Sequence, residues 1–296
     1  MPILPSHAKI NLWLRILGKR ADGFHEVDTL MLPIGLADDL DLEESPDGRI
    51  NLECSDPALP TDSRNLARRA AELLQKRHAP SCGARISLVK RIPLGAGLGG
   101  GSANAATVLV GLSRLWNLNL PSAEIEKLAA EIGSDVAFFV RNRPALCTGR
   151  GERLVPVTFS RELPVLLLHF GFGSATSWAY KNLDAGPVGS SAQATPAGFE
   201  AARRTFLSGS PVGRSADLLL NDLEKPVFRK FPILAIAKEF LAARSEVQGA
   251  MMSGSGSTLF ALIKSPEAAT HLASALRARF GDHIWIWNGF TLPSLS

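Results

Sequence analysis

The chain is poor in the residues that build covalent or metal-held frameworks, with three cysteines in 296 residues. Cys54, Cys82 and Cys147 are odd in number, far apart and in no CxxC pair, which excludes a disulfide-stapled scaffold or zinc ribbon and fits reduced thiols. The six histidines form no HExxH or paired cluster, so no metal ligands are read from the sequence. No apolar run is long enough to cross a bilayer; LPVLLL before His169 is among the longest. The N-terminus carries no signal-peptide signature, since Lys9 and Arg15 interrupt its apolar run, and the expected location is cytoplasmic. Charge of one sign is also scarce: 32 basic against 28 acidic residues leave a net +4. The densest basic stretch, residues 64–78, spaces its charges among Leu66, Ala70, Leu73 and Leu74 as a solvated helix face does, and no aromatic residues interleave with it. No nucleic-acid partner and no membrane partner are expected.

Glycine is abundant where it matters. In RIPLGAGLGGGSANAA, residues 91–106, six of seven consecutive positions around Leu98 carry no side chain or only a methyl. Such a segment lets the backbone approach a ligand closely. A helix starting at Ser102 would then present unpaired N–H groups and partial positive charge, a ready site for a phosphate-like anion. A strand-like RISLVKRI before it and a helix-like NAATVLVGLSRLW after it argue against a plain linker.

The rest of the chain reads as α+β without an internal repeat. Residues 8–17 alternate as a strand, with Lys9, Asn11 and Arg15 sharing one face. Asp22-Gly23 is a turn, followed by strands over 27–36, 38–42 and 48–54. Thr61, Asp62 and Ser63 offer capping chemistry for a helix over 64–78, and a strand is expected over 84–92. Helices over 102–116 and 121–132 follow the loop, and residues 144–157 carry strands around TGRGE. A second domain begins near Leu163, giving an expected division into 1–160 and 161–296. There, residues 184–196 read as a mobile surface loop, with helices over 197–207, 217–223 and 232–243. Paired strands surround SGSGS, residues 253–257, before a helix over 266–279 and a strand over 283–287.

Gly95, Gly97 and Gly100 fit GxGxxG, but a dinucleotide-binding unit wants an apolar strand before the loop and a second strand after the helix. Here Lys90 and Arg91 precede the loop, and a helix follows the helix. The loop ends Gly101-Ser102-Ala103 without the GK[ST] of a Walker A motif, and VAIK and HRD are missing. A phosphate loop without its own lysine remains.

PLGAGLGGGSANAA resembles the ATP loop of the GHMP kinases. AKINLWL, RADGFHEV, GSDVAFF, GRGE, NDLE at 221–224 and MSGSGSTLFAL resemble, more narrowly, the branch of that superfamily that phosphorylates 4-diphosphocytidyl-2-C-methyl-D-erythritol on a hydroxyl, in the non-mevalonate route to isoprenoids. These motifs run in order from Ala8 to Leu262. The resemblance implies a two-domain α+β fold, with an N-terminal domain like ribosomal protein S5 domain 2, a C-terminal ferredoxin-like domain and the site in the cleft between them. It implies ATP with Mg²⁺, held at Pro93, Leu94, Gly95, Ala96, Gly97, Leu98, Gly99, Gly100, Gly101, Ser102 and Ala103. Lys9 and Asp135 take the catalytic positions: Asp135 accepts the hydroxyl proton, and Lys9 orients the hydroxyl and offsets negative charge. Asn11, Phe24, His25 and Tyr180, the one tyrosine, fall to the cytidine end, where aromatic faces stack on a base. Phe24 stands where the family commonly has tyrosine, which keeps a stacking face and loses a hydroxyl. Ala137 stands where it often has proline. A mevalonate- or homoserine-type kinase, or an ATP-binding regulator without catalysis, is the alternative. The expected assembly is a monomer or homodimer.

Overall fold

A computed structural model describes residues 2–183, 196–208 and 215–294. The expected mobile loop over 184–196 lies outside the described residues except for its last position, where a helix starts. In chain order the strands and helices begin with β1 (Leu4–Lys19), β2 (His25–Ser45), β3 (Ile50–Cys54), α1 (Leu66–His78), β4 (Gly83–Val89) and α2 (Gly100–Leu115). Next come α3 (Ser122–Ile132), α4 (Val136–Arg141), β5 (Ala145–Gly149), β6 (Arg153–Pro156), β7 (Pro164–His169), α5 (Thr176–Lys181) and α6 (Pro196–Leu207). The chain continues with β8 (Leu220–Asn221), α7 (Glu224–Lys230), α8 (Pro232–Ala242), β9 (Val247–Met252), β10 (Leu259–Ile263), α9 (Ala268–Phe280) and β11 (Trp285–Phe290).

Contacts divide the chain into two compact units. The first comprises Met1–Ala8, Leu36–Ile92 and Gly99–Arg143. In it β4 pairs antiparallel with the second half of β2, Asp39 opposite Val89 through Ser45 opposite Gly83, and parallel with β3. Helix α1 packs on α2, and α2 on α4. The apolar face of α1, with Ala67, Ala70, Ala71 and Leu74 fully buried, explains its helical spacing. Its arginines form surface pairs, Arg68 with Glu72 at 2.8 Å and Arg77 with Glu131 at 3.0 Å, as expected for a solvated face.

The second unit comprises Lys9–Gly35, Pro93–Leu98 and Pro144–Ser296. Here β1 lies between β2 and β8, and β5 pairs with β2 from Val27 to Met31 before turning into β6. A separate antiparallel sheet runs in the order β11-β7-β10-β9. Its central strands, β7 and β10, are short and almost wholly apolar, and Leu166, Leu168, Ala250, Met252, Leu259 and Ala261 form a core with Leu234, Ala237 and Leu241 of α8 and Leu272 and Leu276 of α9.

Several local expectations change. The strands read over 27–36 and 38–42 are one 21-residue strand, because β2 passes from β5 as partner to β4 without breaking its extended backbone. Asn65, not Thr61, Asp62 or Ser63, caps α1, its side chain accepting from the Ala67 N–H; Asp62 instead closes its own turn with Arg64. Helix α2 starts at Gly100, two residues before Ser102. Residues 217–223 are not a helix: a 3₁₀ turn, Ser215–Leu218, leads into β8, which pairs parallel with Trp13 and Leu14.

Candidate active site

Lys9 sits on β1 with 3% of its surface exposed, an expensive place for an ammonium group unless it is paired. Nζ donates to Asn11 Oδ1 at 2.7 Å and to the Gly97 carbonyl at 3.0 Å. The two side chains meet because residues two apart on a strand share a face. Asn11 in turn donates to Thr29 Oγ1 on β2 at 2.7 Å, and Thr29 donates to the Trp13 carbonyl, so the Asn11 amide is held with its oxygen toward Lys9. The Lys9 backbone N–H donates to the Leu98 carbonyl at 3.0 Å. One residue thus joins β1 to the Gly-rich loop through side chain and backbone.

The loop's first half, Pro93–Leu98, is fastened within the second unit by the SGSGS turn. Ser253 Oγ donates to the Gly97 carbonyl at 3.1 Å, Thr258 N–H to the Ala96 carbonyl at 3.2 Å, and Ser174 N–H to the Gly95 carbonyl at 3.2 Å. The SGSGS turn is therefore a support for the loop as well as a hairpin connection. Backbone meets backbone so closely that a Cβ on Gly97 would stand 2.1 Å from the Ser253 carbonyl oxygen. Gly254 likewise passes close to the ammonium group, a Cβ there falling 3.0 Å from Lys9 Nζ. The turn is tied down by Asn221, whose Nδ2 donates to the Met252 and Gly254 carbonyls, both at 2.8 Å, while its Oδ1 accepts from the Leu223 N–H. Behind it His169 at the end of β7 puts Nδ1 3.3 Å from Thr258 Oγ1 and 3.4 Å from Ser257 Oγ. Burial pushes the His169 imidazole below its ordinary pKa, favouring the neutral ring.

The NDLE segment has three structural tasks. Beyond Asn221, Asp222 Oδ2 accepts from the Ile16 N–H at 2.7 Å, and Glu224 accepts from the Met252 N–H at 2.9 Å and from Lys238 Nζ at 2.6 Å. Burial raises both carboxyls above their ordinary pKa. The sequence marked this segment only as part of a resemblance; its polar residues beside buried leucines were the available physical signal.

The loop's second half, Gly99–Ala103, belongs to the first unit. Gly99 is left-handed at φ 74° and caps α2 without a side chain, so no side-chain cap bond closes the start of this 16-residue helix. Asp135 is half-buried in the same unit at the N-cap of α4, and its side chain makes no capping bond there.

His25 and Tyr180, 155 positions apart in sequence, lie together in the second unit with ring centroids at 5.2 Å and planes inclined by 34°. Burial, then the neighbouring Lys19 charge, lowers the His25 pKa and favours the neutral imidazole, which has one donor and one acceptor nitrogen. Phe24 is half-exposed, its ring covered on one face by the Arg150 guanidinium at 4.7 Å. No strand neighbour or sequence spacing linked Arg150 to Phe24 beforehand.

A lysine-bearing strand, a Gly-rich loop opening a helix and a second Gly-rich turn are the parts of a GHMP kinase. The profile of the GHMP kinases N terminal domain matches residues 65–143, and that of the GHMP kinases C terminal matches 203–282. A 4-diphosphocytidyl-2-C-methyl-D-erythritol kinase from Synechococcus sp. (strain JA-2-3B'a(2-13)) is 41% identical over 96% of this chain and 92% of its own length. One from Methylacidiphilum infernorum is 40% identical over 94% and 93%. A crystal structure of 4-(cytidine 5'-diphospho)-2C-methyl-D-erythritol kinase superposes with a TM-score of 0.78 at 34% identity, covering 99% of this chain and 100% of that one. The chain belongs to the 4-diphosphocytidyl-2-C-methyl-D-erythritol kinase family. Homoserine kinase from Cytophaga hutchinsonii, with a TM-score of 0.74 at 19% identity over 98% and 94% of the two chains, shares the fold. Among the described residues no helix is long and apolar enough to cross a membrane.

Proposed function

We propose that this chain transfers the γ-phosphoryl group of ATP to the 2-hydroxyl of 4-diphosphocytidyl-2-C-methyl-D-erythritol, giving the 2-phosphate and ADP, in the non-mevalonate pathway to isoprenoid precursors. Near-full-length relatives at 41% and 40% identity support the substrate. The observation that carries the chemistry is Lys9, a buried ammonium held by Asn11 and by the carbonyl of Gly97. Binding nucleotide without transfer requires neither Lys9 nor Asp135, whereas a phosphoryl transfer needs charge neutralised as it moves and a group to take the hydroxyl proton.

In this reading Pro93 to Ala103 cradle the ATP phosphates through backbone N–H groups, with the Ser102 hydroxyl among them. Lys9 orients the acceptor hydroxyl and offsets developing charge, and Asp135 takes its proton. Asn11 fixes the Lys9 ammonium group and is assigned with it to the substrate. Neutral His25 bonds the edge of the cytosine, with Tyr180 and Phe24 offering ring faces. Mg²⁺ enters this proposal as the companion of ATP, since it is ordinarily held by phosphate oxygens with few protein ligands. When bound with ATP it would neutralise phosphate charge. The division at residue 160 belongs to the same proposal, supported by family matches that fall on either side of it. So do a cytoplasmic location, a monomeric or homodimeric assembly and no nucleic-acid partner. The discriminating experiment is coupled ADP release with three acceptors. The cytidyl alcohol should turn over fastest, and faster turnover of homoserine or mevalonate overturns the substrate assignment.

A further inference from the structure

Asp38, fully buried in the first unit on β2, has no part in the chemistry above, yet it gathers four donors. Its Oδ1 accepts from the backbone N–H groups of Arg91 at 2.7 Å and Ile92 at 2.9 Å, the residues that lead from β4 into the Gly-rich loop. Its Oδ2 accepts from Lys90 Nζ and, at 2.9 Å, from Asn104 Nδ2 in the second turn of α2. Asn104 is itself buried; its Oδ1 accepts from Lys90 Nζ at 3.1 Å, and its Nδ2 also reaches Ser6 Oγ at 3.0 Å. Lys90 Nζ lies under the first residue of the helix, 3.3 Å from where a Cβ on Gly100 would stand.

One carboxylate therefore fastens both limbs of the loop, the incoming strand end and the outgoing helix. A buried charge persists only when paired and hydrogen-bonded, and here a lysine and three N–H donors meet that requirement. Helix-terminal N–H groups bind an anion well only when they converge on one place, so the setting of Gly100 to Ala103 relative to Ile92 governs phosphate affinity. We infer that Asp38, acting through Lys90 and Asn104, is a positioning residue for the nucleotide phosphates, holding the strand end and the first turns of α2 in the arrangement that grips them. The inference rests on the proposed ATP-loop reading.

The test uses the full chain as wild type, Asn104→Ala and Asn104→Asp, titrated with a fluorescent ADP analogue. Melting and the KM values for ATP and for the cytidyl alcohol are measured on the same preparations. Asn104→Ala removes the helix's bond to the carboxylate and should weaken the analogue and raise the KM for ATP by about ten-fold, the effect of one charge-assisted hydrogen bond. The KM for the cytidyl alcohol should stay within about two-fold, a split that general loosening would not produce. Asn104→Asp has the same shape, lacks the donor and should lose at least as much, which covers the case in which the alanine variant does not fold. Unchanged analogue affinity in a folded variant, or equal rises in both KM values, overturns the inference. Failure of the wild type to bind the analogue instead refutes the ATP-loop reading itself.

Discussion

Replacing Gly97 by alanine isolates the seat of the anion loop. Gly97 has φ 76°, and its added Cβ would lie 2.1 Å from the Ser253 carbonyl oxygen, 2.8 Å from Gly256 N and 3.1 Å from the Gly256 carbonyl oxygen. All three neighbours are backbone, so no side chain can swing aside. The left-handed conformation costs an L-residue about 1–2 kcal/mol, and forcing extra volume into a packed contact costs about 1–3 kcal/mol more. The sum, about 2–5 kcal/mol, corresponds to a fall in melting temperature of roughly 5–15 °C for a unit of this size. Gly101→Ala is the matched control. Its Cβ meets nothing nearer than Leu66 Cδ1 at 3.7 Å, and it lies inside α2, where alanine is favoured by about 1 kcal/mol. Differential scanning fluorimetry should therefore show Gly97→Ala melting well below wild type and Gly101→Ala at or above it. Equal melting of Gly97→Ala and wild type would refute the close approach of loop and SGSGS turn.

Two further outcomes follow from the buried ionisable groups. His169 is held neutral by burial below its ordinary value of 6.5, so the unfolded chain takes up a proton first as pH falls, and the stability it contributes is present above about pH 6.5 and lost below it. The melting temperature of wild type should fall between pH 7 and 5 more steeply than that of His169→Gln; parallel curves would count against a neutral buried ring. Lys238→Met leaves Glu224 buried without its cation and should cost about 3–5 kcal/mol, while Lys238→Met combined with Glu224→Gln should recover much of it in urea unfolding. Additive losses in the double variant would contradict the pairing at 2.6 Å.

What the sequence made legible was local and periodic. The alternation that put Lys9 and Asn11 on one face of a strand is the geometry that joins Nζ to Oδ1. The glycines of residues 95–101 and the small residues after them led correctly to a loop opening a helix, although α2 begins at Gly100 because Gly99 itself serves as the left-handed cap. What stayed hidden depends on partners distant in the chain. Two strands were read where β2 is continuous, since a switch of partner from β5 to β4 leaves no mark in one strand's own pattern. Leu220 and Asn221 were read as helix because leucine-rich spacing outweighed a two-residue pairing with β1. The tilted approach of the His25 and Tyr180 rings and the four donors of Asp38 are tertiary facts that no local sequence pattern carries. Charged residues at such places look solvated until the fold buries them.

In the proposed reaction Asp135 accepts the proton of the cytidyl alcohol's hydroxyl while Lys9 offsets the developing charge. The most direct measurement is ADP release with 4-diphosphocytidyl-2-C-methyl-D-erythritol and Mg-ATP, comparing wild type with Asp135→Asn, with ATP affinity measured separately and the product examined by phosphorus NMR. Wild type should release one ADP per 2-phosphate formed, and Asp135→Asn should lose turnover by at least about 10²-fold, the usual contribution of a general base, while its ATP affinity changes little. Full turnover by Asp135→Asn would remove Asp135 from the reaction, and no phosphorylated product from wild type would overturn the assigned activity.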